Sequence, residues 1–586
     1  MNVAARIQQM ASPGAVLVSG DVKRAIRSGW VERLKPQGSV RLDKMTEILP
    51  VFALAPATGG RAKGRRRDLR LLMIAAGVLA LGLLGAGLWL ARGSLPWGTP
   101  RPARVAIAPF EIAANDPTLR EFVDVMTDRT VEVLTANQVP TTTTRPADGA
   151  GHALAGTPEA DYLLKGSVRR DDQMLRVTAK LEDVHGRVVL WSAEMARPLG
   201  DTHAFQVQAA SRFANILECV TEVRQRPHAP RESETLSLFL QLCEASFSPK
   251  DLGQMEQALT LARRFAEQAP GFSIARSNLA WASAFMSNLF PAGQKGDLRR
   301  TAQIEADRAL KLDPKNSQAY GVLAMLAPPD QWAQREALLS RAVSVDPNGM
   351  AGNNSYGSFL SEVGRLQDSL VYLQKAAAQD SLDPGMAADA ALGLARTGQF
   401  GIANETLQQA LQDWPDDKDA LGSRFYLARW EGRFDVALSM LQGDGDVNRG
   451  LSDAERKSWR DVLSALGSHD ARRMAGQRDA QIALADRGGI DLSFAIENLS
   501  QLGLVDDAFA LAERLPGLQI PINNTLLFNP TTAPMRRDRR FIALADKLGL
   551  VDYWRSTGKW PDFCAENGLP YDCKAEAAKY PSRAHG

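Results

Sequence analysis

At 586 residues the chain is long enough for roughly four domains, and an apolar fraction of 45% excludes wholesale disorder and a small disulfide-stapled scaffold. Sixty-nine Lys and Arg against 67 Asp and Glu leave a net charge of +2, too even for a surface that grips nucleic acid by counterion release. The six His fall at no HExxH or zinc-ligand spacing, which argues against a metallohydrolase.

The chain opens with NVAARIQQMASPGAVLVSGDV at residues 2–22, followed by VERLKPQGSVRLDKMTEILPVFAL. These phrases resemble the final third of a class III adenylate or guanylate cyclase domain: a helix beginning Val-Asn-x-Ala-Ala-Arg, a Pro-Gly turn into a strand ending in Ser, and a hairpin closing on a Pro-Val strand. Asn2, Ala4, Ala5, Arg6, Pro13, Gly14, Ser19, Pro50 and Val51 fit that pattern. The resemblance implies that 1–55 is the carboxyl-terminal fragment of such a domain. By it, Asn2 orients the ribose and Arg6, one helical turn on, neutralises the phosphate being cyclised, the two forming a remnant transition-state pair. The family's two Mg or Mn ions are held by aspartates that lie upstream of this helix, so no cofactor is expected here and the chain as given is expected to make no cyclic nucleotide. The alternative is an active adenylate cyclase, converting ATP to cAMP, whose start lies further upstream.

A basic linker over 56–70 leads to Leu71–Ala91, LLMIAAGVLALGLLGAGLWLA, 21 residues without a charge. At about 1.5 Å per residue this run is long enough to cross a bilayer as a single helix. Six basic residues from Arg61 to Arg70 precede it and three, Arg92, Arg101 and Arg104, follow, an asymmetry that puts the amino terminus in the cytoplasm. The expectation is a bacterial inner-membrane protein with one pass and a periplasmic carboxyl-terminal region. Ala76 with Ala80, and Gly82 with Ala86, are small residues four apart that would permit a homodimer. All four cysteines lie beyond residue 92, where oxidation would persist; the local pairings expected are Cys219 with Cys243 and Cys564 with Cys573.

After a linker over 92–101, the strand-like ARVAIAPFEI, an amphipathic stretch from Thr118 to Thr135, and three alternating runs separated by turn signals at Asp171-Asp172 and His185-Gly186 predict a small α/β domain over 102–222. The order VAIAPF, helix, YLLKGSVRR, LRVTAKLEDVHGRVVLWS, helix resembles the amino-terminal domain of TolB. That resemblance implies protein contacts and no catalytic set. Asp171, Asp172, Glu182 and Asp183 could be imagined as paired carboxylates, but their place at hairpin turns predicts turn chemistry instead.

From 234 to 515 the chain is rich in Ala and Leu and repeats itself. Gly364, Gly398, Gly432, Gly467 and Gly503 recur at spacings of 34, 34, 35 and 36. Pro270, Pro314, Pro347, Pro384 and Pro415 mark the exits of second helices at intervals of 44, 33, 37 and 31. Gly permits the tight turn, small Ala lets antiparallel helices approach, and Pro stops the second helix. The pattern resembles the tetratricopeptide repeat, about seven units stacked into an α-solenoid, which implies a groove for protein or peptide partners. Residues 516–586 resemble the ending of many tetratricopeptide proteins of bacterial signalling systems. Its Tyr553, Trp554, Trp560 and Phe563 are expected to pack over the last repeat as a cap.

The fold expected is multidomain and mainly α: an α/β cyclase-domain remnant, one transmembrane helix, a TolB-like α/β domain and the solenoid. The function expected is a membrane-anchored signalling protein with an extracytoplasmic protein-binding platform; the further alternative is a scaffold or assembly factor of the cell envelope.

Overall fold

The computed structural model describes residues 16–25, 34–41, 48–54, 103–112, 116–143, 160–226, 228–246, 252–289, 292–442, 451–514 and 524–581. The chain divides into two compact units, 1–97 and 98–586. In the first, β1 (Leu17–Ser19), α1 (Gly20–Ala25), β2 (Leu34–Arg41) and β3 (Ile48–Leu54) build a three-stranded antiparallel sheet in the order β1-β3-β2. A bulge between Pro36 and Gly38 interrupts the β2–β3 register, and the left-handed φ of +118° at Gly38 is one that a side chain would resist.

The second unit opens with a mixed sheet. It contains β4 (Val105–Ile107), β5 (Glu111–Ile112), α2 (Pro117–Ala136), β6 (Thr141–Thr143), β7 (Tyr162–Asp171), β8 (Met174–Asp183), β9 (Val188–Pro198) and α3 (Thr202–Gln225). The strand order is β6-β4-β7-β8-β9, with β5 beside β7. Asp116 caps α2 by accepting from Thr118 and Leu119 N–H, and Pro117 stands at the first turn, where its missing N–H costs nothing. β7, β8 and β9 form an antiparallel meander whose two turns each hold a left-handed residue, Asp172 and Arg187. Leu175, Val177, Ala179 and Leu181 of β8 alternate into the core with almost no exposure, as a two-residue period requires.

Among the described residues helices then follow in eight successive pairs: α4 (Ser233–Ser246) with α5 (Leu252–Gln268), α6 (Ser273–Leu289) with α7 (Ala292–Leu312), α8 (Ser317–Leu326) with α9 (Trp332–Val345), and α10 (Met350–Glu362) with α11 (Leu366–Gln379). Next come α12 (Pro384–Arg396) with α13 (Phe400–Asp413), α14 (Lys418–Trp430) with α15 (Phe434–Met440), α16 (Asp453–Ser468) with the broken α17 (Ala471–Ala475) and α18 (Arg478–Asp486), and α19 (Leu492–Gln501) with α20 (Val505–Ala512). The tail adds α21 (Ala533–Arg536), α22 (Arg540–Lys547), α23 (Leu550–Thr557) and α24 (Cys573–Ala577).

Gly364, Gly398, Gly432 and Gly503 each turn one helix into its partner with φ between +77° and +81°. A residue with a Cβ is sterically strained there, which explains the spacing. The fifth turn departs from the expected register. Gly467 lies inside α16, and His469, two residues on, takes the left-handed position with φ +51°. Pro384 also differs from expectation: it opens α12 behind the capping Asp383 rather than following the end of α11.

One hydrophobic core runs from Ala103 of the sheet module through Leu298 of α7 and takes in Leu382, so the α/β layer and the first helix pairs share an interior. The end of α13 returns to α3, where His203 Nε2 and Asp413 Oδ1 lie 2.8 Å apart. The tail does not sit over the last pair alone. Trp554 Nε1 donates to Val363 O at 3.0 Å, and Trp332 Nε1 donates to Leu548 O at 2.8 Å, which fastens α23 and its neighbours to the third and fourth pairs.

The expectation of a membrane-crossing helix, and of inner-membrane placement with it, is corrected. Among the described residues no helix is long and apolar enough to cross a membrane. The long helices carry too many charges for that: α3 holds Arg212, Glu218, Glu222 and Arg224, and α7 holds Asp297, Arg299, Arg300 and Arg308. Residues 71–91, on which that expectation rested, lie outside the described residues.

Candidate functional site

Where α13 comes back to the sheet module it closes a cavity of about 740 Å³ between β9, α3, α4 and α5, with Trp414 as the far wall. Its floor is a bonded group. Arg212 of α3 forms an ion pair with Glu244 of α4 and stacks over the Trp191 ring of β9, 5.8 Å from its centroid. Trp191 Nε1 donates to Glu244 Oε2 at 2.6 Å, so this carboxylate holds strand and helix together. Cys219 of α3 and Cys243 of α4 form a disulfide beside it, with Cα atoms 6.7 Å apart.

The remaining polar wall is made of carboxamides: Gln208 and Asn215 from α3, Gln241 from α4, Gln254 and Gln257 from α5. A carboxamide carries donors and an acceptor on one plane, as a peptide backbone does; Gln208 already uses its Nε2 on Asp413 O. Met195, Phe205 and Ile216 supply apolar surface. Arg197 Nη2 donates to Gln208 Oε1 at 3.1 Å. The chemistry on offer is hydrogen bonding and one cation.

A second cluster lies on another part of α3. Burial pushes Glu218 up to about 8, against the bond it accepts from Asn137 Nδ2 at 2.5 Å and reinforced by Asp380 and Glu222. Burial likewise pushes Asp380, just past α11, up to about 6, with Asp383 adding to the effect. Glu218 therefore stabilises the fold fully below its ordinary value of 4.5, and that contribution is lost as pH rises towards about 8. Wild type is expected to lose about 4 kcal/mol relative to Glu218→Gln between about pH 5 and pH 9, read as thermal midpoints of both proteins across that range. Parallel midpoints at every pH would contradict the assignment.

The sequence-derived site residues meet different fates. Asn2 and Arg6 lie outside the described residues. Cys564 and Cys573 form the second disulfide, Cα to Cα 5.7 Å, in the tail. Glu182 pairs with Lys165, 2.6 Å away, and Asp183 Oδ1 accepts from the N–H groups of His185 and Gly186, an Asx turn. Asp171 ends β7 opposite Met174, and Asp172 opens the β7–β8 turn with a left-handed φ of +50°. Among the described residues no group of His, Cys, Asp or Glu is arranged to hold a metal ion. The carboxamide cavity had no motif to announce it, because its walls come from segments more than 200 residues apart, such as Arg197 and Trp414.

No family model matches the chain, so the TolB-like and cyclase-remnant readings have no support from one. The chain is similar to the protein named "Putative adenylate cyclase 3" of Rhizobium meliloti (strain 1021), 24% identical over 294 residues, which covers 48% of this chain and 45% of that protein. It thus spans less than half the length of this curated relative. Among solved structures it is similar to a thermophilic TPR protein of Thermus thermophilus, with 20% identity, 30% of this chain and 91% of that one covered, and a TM-score of 0.25. It is also similar to YrrB, a TPR protein with an unusual peptide-binding site, at 18% identity, 33% and 92% coverage and a TM-score of 0.21. PilF of Pseudomonas aeruginosa matches at 17% identity, 43% and 97% coverage and a TM-score of 0.23. What the chain's own geometry presents is a run of tetratricopeptide-like helix pairs joined to an α/β layer, with distant sequence similarity to an adenylate cyclase.

Proposed function

We propose that the chain is a protein-binding scaffold in a signalling protein related to the nucleotide cyclases, and that it grips peptide segments in the cavity between the sheet and the helix pairs. The observation that carries this reading is the composition of that wall: five carboxamides facing about 740 Å³ of space, with its glutamate already committed to Arg212 and Trp191. Such a lining recognises amide groups without performing chemistry on them.

Gln241 is exposed on α4 and lines the cavity. Tryptophan there occupies the space while leaving the helix core untouched. Peptides selected from a displayed random linear library against the full protein are expected to bind wild type with micromolar affinity and Gln241→Trp about tenfold or more weakly. A library that yields no binders, or binders indifferent to the substitution, defeats the proposal.

A further inference from the structure

Among the described residues β9 is the edge of its sheet, and the phase of its ladder decides which backbone groups point outward. Leu199 N–H donates to Gln173 O at 3.0 Å, and the register places Arg197 opposite Leu175 and Met195 opposite Val177. In an antiparallel ladder alternate residues exchange both bonds with the neighbouring strand, and those between direct theirs outward. Counted back from Leu199, Arg197 and Met195 face β8, while Ala196 and Glu194 present N–H and C=O to the open edge. Pro198, which has no N–H to give, falls in the same outward phase, the place an edge strand tolerates proline. α4 covers the strand at Leu190, whose carbonyl accepts from Ser237 Oγ at 2.8 Å, and leaves Met195 to Arg197 lining the cavity.

The second observation is charge. Arg212 is committed to Glu244, whereas Arg197 has its bond to the neutral Gln208 and no carboxylate within ion-pair distance among the described residues. A half-buried cation beside a free strand edge attracts an anionic group on whatever pairs with that edge.

We propose that this edge takes an extended acidic peptide as an added strand. The peptide backbone pairs with Ala196 and Glu194, a peptide carboxylate meets Arg197, and the far backbone edge meets Gln241 and Gln257. This deepens the scaffold reading and rests on it, naming both the partner's chemistry and how it is held.

The test uses the full-length protein and two end-blocked hexapeptides, alternating Glu-Val and alternating Gln-Val, followed by titration calorimetry. The acidic peptide is expected to bind about tenfold more tightly than the neutral one, and Arg197→Gln to erase that difference. Ala196→Pro is expected to weaken both about tenfold with little change in thermal midpoint, because the N–H it removes gives no bond to β8. No binding of the acidic peptide at about 1 mM, equal affinity for the two peptides, or undiminished binding by Ala196→Pro overturns the proposal. Library peptides blocked by Gln241→Trp but unaffected by Ala196→Pro would leave the scaffold reading standing and remove the added strand alone.

Discussion

Arg429→Ala is expected to cost about 4–5 kcal/mol of stability, read from urea unfolding followed by tryptophan fluorescence. Arg429 lies in α14 with 0% of its side chain exposed. Its three nitrogens all bond to α19: Nε to Gln501 Oε1 at 2.6 Å, Nη1 to Glu497 Oε2 at 3.2 Å and Nη2 to Asn498 Oδ1 at 3.0 Å. The guanidinium also lies over the Trp459 ring of α16, 4.4 Å from the centroid. Burial lowers its pKa and Glu497 works the other way, the balance of a charge held in the interior only by its partners. Alanine leaves Glu497 buried with Asn529 as its donor, orphans two amide acceptors and opens a cavity under Trp459. Lysine cannot replace the fork, since one ammonium does not reach three acceptors in a plane. If desolvation is the cause, Arg429→Met combined with Glu497→Leu loses less than Arg429→Ala alone. A loss under about 1 kcal/mol for the alanine variant would show that the network is not sealed from water.

Local backbone demands were legible and distant contacts were not. The turns at Gly364, Gly398, Gly432 and Gly503 showed in the spacing because each needs a left-handed residue, a requirement written at one position. The same logic misplaced the fifth turn, because a histidine can adopt that conformation at some cost and the nearest glycine, Gly467, stayed in the helix. Pro384 misled for a related reason: proline is acceptable both after a helix and at the first turn of the next, and only Asp383 accepting from Gly385 and Met386 N–H distinguishes the two. Hydropathy over 71–91 led to a membrane assignment that no described helix supports. The cavity, its carboxamide lining and the docking of the tail depend on residues far apart in sequence, Trp332 with Leu548 and His203 with Asp413 among them. Periodicity carries no information about such pairs; they follow from how far the stacked pairs curve before the chain returns.

One carboxylate joins the tail to the repeat ionically, and Glu336→Ala is expected to loosen the tail. Glu336 lies on α9, buried to 6% exposure. It accepts from Arg365 Nη1 at 2.6 Å, Lys559 Nζ at 2.8 Å, Tyr553 OH at 3.1 Å and Tyr356 OH at 3.2 Å. Two of those donors belong to the tail and two to the repeat, so the residue is the junction between them. Alanine removes the acceptor of two hydroxyls, of Lys559 and of one arm of Arg365, whose Nε and Nη2 keep Asp368, a loss of about 2–3 kcal/mol concentrated at the α9–α23 contact. Burial opposes the charge on Glu336, but the bonds from Lys559 and Arg365 prevail and hold its pKa below 4.5. A depressed carboxylate stabilises above its unfolded value and gives that up as pH falls through the folded one, so acid should loosen the wild-type tail below about pH 4.5. In Glu336→Ala the tail should already be loose at neutral pH and gain nothing from the carboxylate as pH rises. Limited proteolysis between residues 524 and 581, with hydrogen exchange at the Trp332 and Trp554 indoles as the second measure, reports both effects. Wild-type protection in the variant at neutral pH would mean that the apolar contacts of Phe528, Phe541 and Trp554 hold the tail without the ionic junction.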